Sequence, residues 1–236
     1  MSALLLSRIK QKATKILEDQ FLKTGYVLEA RTWVTEDIVE IDLHLPSATM
    51  QWNEVQHMKC KVADFTYRDY TPSAWDAETQ TCTLYIDVNH NGPGAQWAKK
   101  LTKGDVVEYL GIATTKHTPV NTSAIVCLGD ESAIGHMLAM QQLTQPSTRF
   151  TGAVLMGDNA NSKLFTEYFR TPLQPVERAD SFGHQPLIQW LLQQSENLEN
   201  TIFYLAGNST MVSQLRKILR SQGYGSNQIK AHGFWQ

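Results

Sequence analysis

The residues best suited to chemistry in this chain of 236 residues fall into a few short groups. The first is Arg68-Asp69-Tyr70-Thr71-Pro72, at the end of the β-type run DFTYRDYT (64–71). An arginine fork can grip phosphate oxygens through two parallel hydrogen bonds. A tyrosine ring can stack on a flat aromatic system, and a threonine hydroxyl or backbone N–H can hydrogen-bond that system's reactive edge. Strand alternation puts Arg68 and Tyr70 on one face, with Thr71 at the strand end. The same residues also describe an ordinary exposed cross-strand pair. The second group is NHNGPGAQWAKKL (89–101), where Gly92, Pro93 and Gly94 precede a helix carrying Ala95, Trp97, Ala98 and Leu101. Glycines let backbone approach a phosphate, and a helix start offers free N–H groups. A plain turn before a helix has the same composition.

The third group, Leu128-Gly129-Asp130-Glu131-Ser132-Ala133-Ile134, lies between a strand and a helix. A nucleotide binds in this context, beyond the strand's carboxyl end and against the next helix's N-terminus. Asp130 and Glu131 would repel phosphate, so they are expected either to accept hydrogen bonds from ribose or carboxamide groups or to cap the helix. The fourth group comprises Leu205-Ala206-Gly207-Asn208-Ser209 and the closing Ile229-Lys230-Ala231-His232-Gly233-Phe234-Trp235. Other chemistries lack their signatures. The seven histidines show no close metal spacing. Neither a G-x-S-x-G elbow nor a G-x-x-x-x-G-K-[ST] loop is present. Cys60, Cys82 and Cys127 are odd in number and far apart, which argues against a disulfide framework or zinc site and fits a reducing cytoplasm. A formal net charge of −2 gives no basic footprint for nucleic acid.

The elements that must position these groups change character along the chain. Residues 3–22 read as an amphipathic helix through Leu5, Ile9, Ala13, Ile16 and Leu17. The leucines before Arg8 are too few for a signal peptide's apolar core, and no run is long enough to span a membrane. Six runs rich in β-branched and aromatic residues follow, at 26–34, 38–45, 55–62, 64–71, 81–88 and 105–112, which suggests a closed barrel or sandwich. Beyond residue 120, strands at 123–129, 151–157 and 201–207 alternate with helices, which indicates a parallel sheet covered by helices. The expected division is an N-terminal helix over 1–24, a β-barrel over 25–118 and an α/β domain over 119–236.

Arg68, Tyr70 and Thr71 resemble the Arg-x-Tyr-Ser/Thr strand that holds the flavin in the ferredoxin–NADP reductase superfamily. His90, Gly92, Pro93, Gly94, Ala95, Trp97 and Ala98 resemble the following segment in siderophore-interacting proteins, and Lys103-Gly104-Asp105-Val106-Val107 resembles that family's last barrel strand. Gly129 to Ala133 resemble its G-D-E-T/S-A stretch, and the fourth group resembles its A-G-E-x-x and closing G-Y-W segments. Together the likeness spans roughly 26–236. It departs at Asn208, where an acid is usual, at Phe234, where tyrosine is usual, and at Gln236, where many relatives carry a basic residue.

The resemblance implies an antiparallel flavin-binding β-barrel followed by an α/β parallel-sheet nucleotide-binding domain. It further implies FAD as cofactor, NAD(P)H as electron donor, and a cytoplasmic reductase of ferric siderophores whose chemistry is carried by the flavin, not by a catalytic side chain. A general NAD(P)H:flavin or quinone reductase and a non-catalytic siderophore-binding module are the alternatives. Gly129, Asp130, Glu131, Ser132, Ala133, Asp158, Gly207 and Asn208 are the expected nucleotide residues. Asp158, with no basic residue before Lys163, favours a ribose 2′-hydroxyl and hence NADH, unless Lys163 or Arg149 folds back to bind a 2′-phosphate. Lys59, Lys61, Lys116, Lys230, Phe234 and Trp235 are the candidate substrate residues, the lysines as partners for an anionic chelate.

Overall fold

The structure is a computed structural model that describes residues 21–33, 35–157, 159–178, 183–194 and 200–235. The expected helix over 3–22 lies outside them except for its last two residues.

All six expected β-runs form strands of one antiparallel sheet. They are β1 (Lys23–Thr32), β2 (Ile38–His44), β3 (Gln56–Ala63), β4 (Thr66–Tyr70), β6 (Thr81–Asp87) and β7 (Val106–Thr114). A two-residue strand, β5 (Trp75–Asp76), was not expected. The order is β4-β3-β7-β1-β2-β6-β5. Alternate residues of five strands, among them Val27, Ile41, Leu43, Met58, Cys60, Leu84, Ile86, Val107 and Tyr109, meet in one core, so the sheet curls around its own interior. The ladder leaves β4 and β5 as its edges, and the flavin-type motif is therefore on an edge strand. A short helix, α1 (Pro93–Ala98), follows β6 and packs Ala95 and Ala98 into the same core.

The second half is a parallel sheet of order β10-β9-β8-β11-β12, built from β8 (Ala124–Asp130), β9 (Arg149–Met156), β10 (Leu173–Glu177), β11 (Thr201–Asn208) and β12 (Ile229–Trp235). A 3-10 turn (Glu131–Ala133) runs into α2 (Ile134–Leu143); α3 (Asn159–Tyr168), α4 (Gln185–Gln193) and α5 (Ser209–Ser221) complete the layers. Every residue of β8 is buried, as a central parallel strand demands. Ile125 and Cys127 face the core shared with α2 and α3, while Val126 and Leu128 face the core under α4 and α5. β10 was not foreseen because Pro175 interrupts its pattern. Proline is tolerated there because β10 is the sheet's edge.

The two sheets share a core. Trp33, Ile38, Val55 and Tyr85 of the antiparallel half pack with Ile134, Met137, Phe165 and Tyr204 of the parallel half. Tyr168 on α3 donates to buried Glu40 on β2 at 3.0 Å, and Arg31 binds the same carboxylate oxygen at 2.7 Å. These contacts fix the motif on β4 against the carboxyl edge of the parallel sheet.

Candidate functional site at the junction of the two sheets

A cavity of about 350 Å³ opens where β4 meets the first turn of α2 and the end of β12. That volume lies within the range of small-molecule sites. Arg68 and Tyr70 line it from β4 and Thr71 from just beyond the strand's end; Ser132, Gly135 and His136 line it from the 3-10 turn and α2. His232, Gly233 and Phe234 line it from β12, with His57 and Thr115 beside them.

The β4 residues sit as strand alternation requires. Tyr70 pairs across the ladder with Met58 and Arg68 with Cys60, so both rise from the same face. Both also touch α1: a Cβ on Gly94 would collide with the Tyr70 hydroxyl and lie 3.3 Å from Arg68 Cγ. Trp97 stacks behind Tyr70 at 5.8 Å and 12°, and so reaches the cavity only through that ring. Burial pushes the Tyr70 phenol up, so it remains a neutral donor. Arg68 is exposed and donates to the Tyr67 carbonyl at 2.8 Å, leaving most of its fork for a ligand.

The glycine loop is partly committed to itself. Gly92 N–H donates to His90 Nδ1 at 3.0 Å, and Pro93 has no N–H. The first-turn N–H groups of Gly94 and Ala95 are the donors that helical geometry leaves unbonded.

On the nucleotide side, several expected residues turn out to hold the sheet edge together. Asp130 is buried; it accepts from Ser132 N–H at 3.1 Å and from Asn208 N–H at 2.8 Å. The capping alternative therefore describes it, and burial raises its pKa. Asn208 caps α5, accepting from Thr210 and Met211 N–H at 3.0 and 3.1 Å. Amide and carboxylate oxygens serve equally well as N-cap acceptors, which accounts for asparagine where an acid is usual. Gly207 has φ +114°, and a Cβ there would strike the Asp130 carboxylate, so only glycine fits. Gly129 and Ala133 pack against each other, a Cβ on Gly129 coming within 2.8 Å of the Ala133 methyl.

Glu131 forms an ion pair with Arg178 at 3.1 Å, both largely buried. Burial pushes the Glu131 carboxyl up to about 7, and the Arg178 guanidinium opposes that rise. Arg178 directly follows β10 and lies at the carboxyl edge, a position no motif signalled. Asp158 lies outside the described residues. Arg149 begins β9 at the opposite edge, so it cannot fold back to a ribose at the carboxyl end: the length of the strand separates them by roughly 23 Å.

The lysines divide. Lys59 pairs with Asp69 at 2.6 Å and Lys61 with Glu108 at 3.3 Å, both as cross-strand pairs on the face that alternation assigned them. Lys116 and Lys230 lie near the histidines instead, and their charges help to depress His232 and His117 respectively. Phe234 packs edge-on against His136 and His232 at 5.5 and 5.1 Å. Trp235 donates to Ser132 Oγ at 3.1 Å and lies 6.5 Å from the His90 ring.

Sequence reasoning missed the contact between two histidines. His117 and His136, which had no metal-type spacing, are 1% and 2% exposed and meet at 3.1 Å between His117 Nδ1 and His136 Nε2. Burial, with His232 and Lys230 behind it, pushes His117 down to about 4, and burial holds His136 well below its ordinary value. Gly135 was missed as well: a Cβ there would come within 2.6 Å of the Thr71 carbonyl, so its absence lets α2 seat against the motif.

A family model described as "Siderophore-interacting FAD-binding domain" matches residues 30–113, and one described as "Siderophore-interacting protein" matches 122–236. The chain belongs to the siderophore-interacting protein family. The antiparallel half is thus the FAD-binding domain of that family, and FAD is its cofactor. Solved structures agree on the fold. The siderophore-interacting protein of Acinetobacter baumannii has a TM-score of 0.73 at 14% identity, over 91% of this chain and 90% of that one. A siderophore utilization protein from T. fusca has a TM-score of 0.72 at 18% identity, over 91% and 92%. Phthalate dioxygenase reductase, a modular protein for electron transfer from pyridine nucleotides to [2Fe-2S], has a TM-score of 0.71 at 13% identity, over 92% of this chain and 69% of its own. Among the described residues no helix is long and apolar enough to cross a membrane.

Proposed function

We propose that this siderophore-interacting protein is an FAD-dependent reductase that takes hydride from NAD(P)H and passes electrons to the iron of a ferric siderophore. The observation that carries the reading is the single cavity shared by Arg68, Tyr70 and Thr71 on one side and by Ser132, Gly135 and Phe234 on the other. The first set would hold the flavin, and the carboxyl edge behind the second would hold the nucleotide. The residues fit FAD: the Arg68 fork has unused donors for a phosphate, Tyr70 offers a ring, and Thr71 presents a hydroxyl at the strand end. Bound FAD supplies hydride acceptance and single-electron release. Thr71 orients the ring edge, Phe234 covers the cavity from the β12 side, and Tyr70 with Trp97 excludes water behind it. Arg178 is a basic group at the carboxyl edge that could meet a nucleotide phosphate on leaving Glu131, and Lys163 on α3 is another, so the choice between NADH and NADPH rests on these two.

The cross-strand pairing of Lys59 and Lys61 supports a second reading, a reductase of free flavin or quinones, because both charges are already matched. Absorbance spectra of the FAD-loaded protein during anaerobic addition of NADH and then NADPH test electron uptake. Later addition of a ferric siderophore with a ferrous chelator, against free flavin and a quinone, separates the readings. An FAD spectrum that neither nucleotide bleaches would rule out both.

A further inference from the structure

Behind half-buried Thr71 lie two buried histidines in hydrogen-bond sequence, which FAD binding alone does not require. Thr71 Oγ1 lies 3.4 Å from His136 Nδ1, and His136 Nε2 lies 3.1 Å from His117 Nδ1. His117 Nε2 is buried with no hydrogen-bond partner among the described residues. The rings are enclosed by Phe234, Tyr204 and His232. Two buried histidines in contact, with no carboxylate bonded to either ring among the described residues, are held neutral by desolvation. Each ring then carries one N–H and one bare nitrogen.

A neutral pair in this arrangement has two self-consistent hydrogen-bond directions. In one, His136 donates from Nε2 to His117 Nδ1, and its bare Nδ1 accepts the Thr71 hydroxyl hydrogen. Thr71 then offers the cavity only an acceptor. In the other, His117 donates from Nδ1 to His136 Nε2, and His136 Nδ1–H donates to the Thr71 oxygen. The Thr71 hydrogen then points into the cavity as a donor. Each ring keeps a single proton, moved from one nitrogen to the other, so the pair's charge does not change. An atom with a fixed partner would lock the direction, whereas the unpartnered His117 Nε2 leaves both open. A flavin makes use of both, because its reactive ring nitrogen is a bare acceptor when oxidised and an N–H donor when reduced.

We propose that His136, backed by His117, is a positioning residue that reverses the hydrogen-bond direction of Thr71 with the redox state of the bound flavin. The proposal rests on the reading that Thr71 faces the flavin's reactive edge. It assigns these histidines a role in tuning the flavin, where a plain core histidine would have none.

The test is 15N NMR of histidine-labelled protein, FAD-free, FAD-loaded and dithionite-reduced under anaerobic conditions. In the FAD-free protein at pH 7, both rings are expected to be neutral, with a coupling across the His117–His136 hydrogen bond. On reduction of the loaded protein, the His136 proton is expected to pass from Nδ1 to Nε2. A second measurement is the midpoint potential in a double-mutant cycle. His136→Phe should shift the potential when Thr71 is present and leave it unmoved in a Thr71→Val background. A cationic His136, an unchanged tautomer in both redox states, or a His136→Phe shift that persists without Thr71 overturns the proposal alone. Failure of the protein to take up FAD overturns the proposal together with the reading beneath it.

Discussion

Acidification provides a quantitative check on the buried histidine pair. His117 is pushed down to about 4 in the folded chain, against about 6.5 when unfolded. Between those values the unfolded chain binds more protons, so stability is fully present above pH 6.5 and is lost as pH falls toward 4. At pH 4.5 this group alone costs about 2–3 kcal/mol relative to pH 7.5, at about 1.36 kcal/mol per pH unit. Buried Glu131, whose carboxyl is raised to about 7, works the other way and gains stability over the same interval. The global pH curve therefore hides the effect, and a difference measurement is needed. His117→Asn keeps a hydrogen-bonding atom near the Nδ1 position and removes the titration. Urea unfolding of both proteins, FAD-free and at one ionic strength, gives their stability gap at pH 7.5 and pH 4.5. The variant should be the less stable at pH 7.5, and the gap should move in its favour by about 2–3 kcal/mol at pH 4.5. Since His117 also depresses His136, the number belongs to the pair. A gap that changes by less than about 0.5 kcal/mol, the usual mutational scatter, would mean that His117 titrates alike folded and unfolded, and would refute the reasoning from burial.

Other consequences are direct. Arg68→Ala should weaken FAD binding by about 1.5–3 kcal/mol, the scale of a hydrogen bond to a charged group; fluorescence quenching titration measures it, and unchanged affinity removes Arg68 from the site. Gly207→Ala meets both a left-handed φ and the Asp130 carboxylate, and should lower stability by at least about 2 kcal/mol in thermal unfolding. Arg178→Met leaves Glu131 buried without its cation, so the loss in urea unfolding should grow as pH rises above 7, where protonation no longer relieves the charge. Lys59→Ala with Lys61→Ala should change turnover of an anionic ferric chelate less than Lys116→Ala with Lys230→Ala, because the first two are matched by carboxylates at 2.6 and 3.3 Å. Steady-state kinetics at low and high salt compare the two double variants.

The β4 motif was legible because its signal is local. Arg68, Tyr70 and Thr71 are nearly consecutive, and period-2 alternation alone puts the first two on one face. The strand–helix grammar after residue 120 was legible for the same reason: a parallel strand such as β8 must be apolar on both faces. Asp130 was readable as a residue type at a helix start, but its second partner, the Asn208 N–H, lies 78 residues away and only the folded sheet supplies it. β10 stayed hidden because a proline is permitted only where the sheet ends, and the sheet's order is not a local property. Lys59 and Lys61 had the right charge and the right face, yet the facing strands supplied Asp69 and Glu108. The histidines are the extreme case. Their spacing along the chain carries no signal, because His117 follows β7, His136 sits on α2 and His232 on β12. Only closure of the two sheets over one cavity brings them together. Burial there, and no feature of the residues' own neighbours in sequence, is what strips their charge.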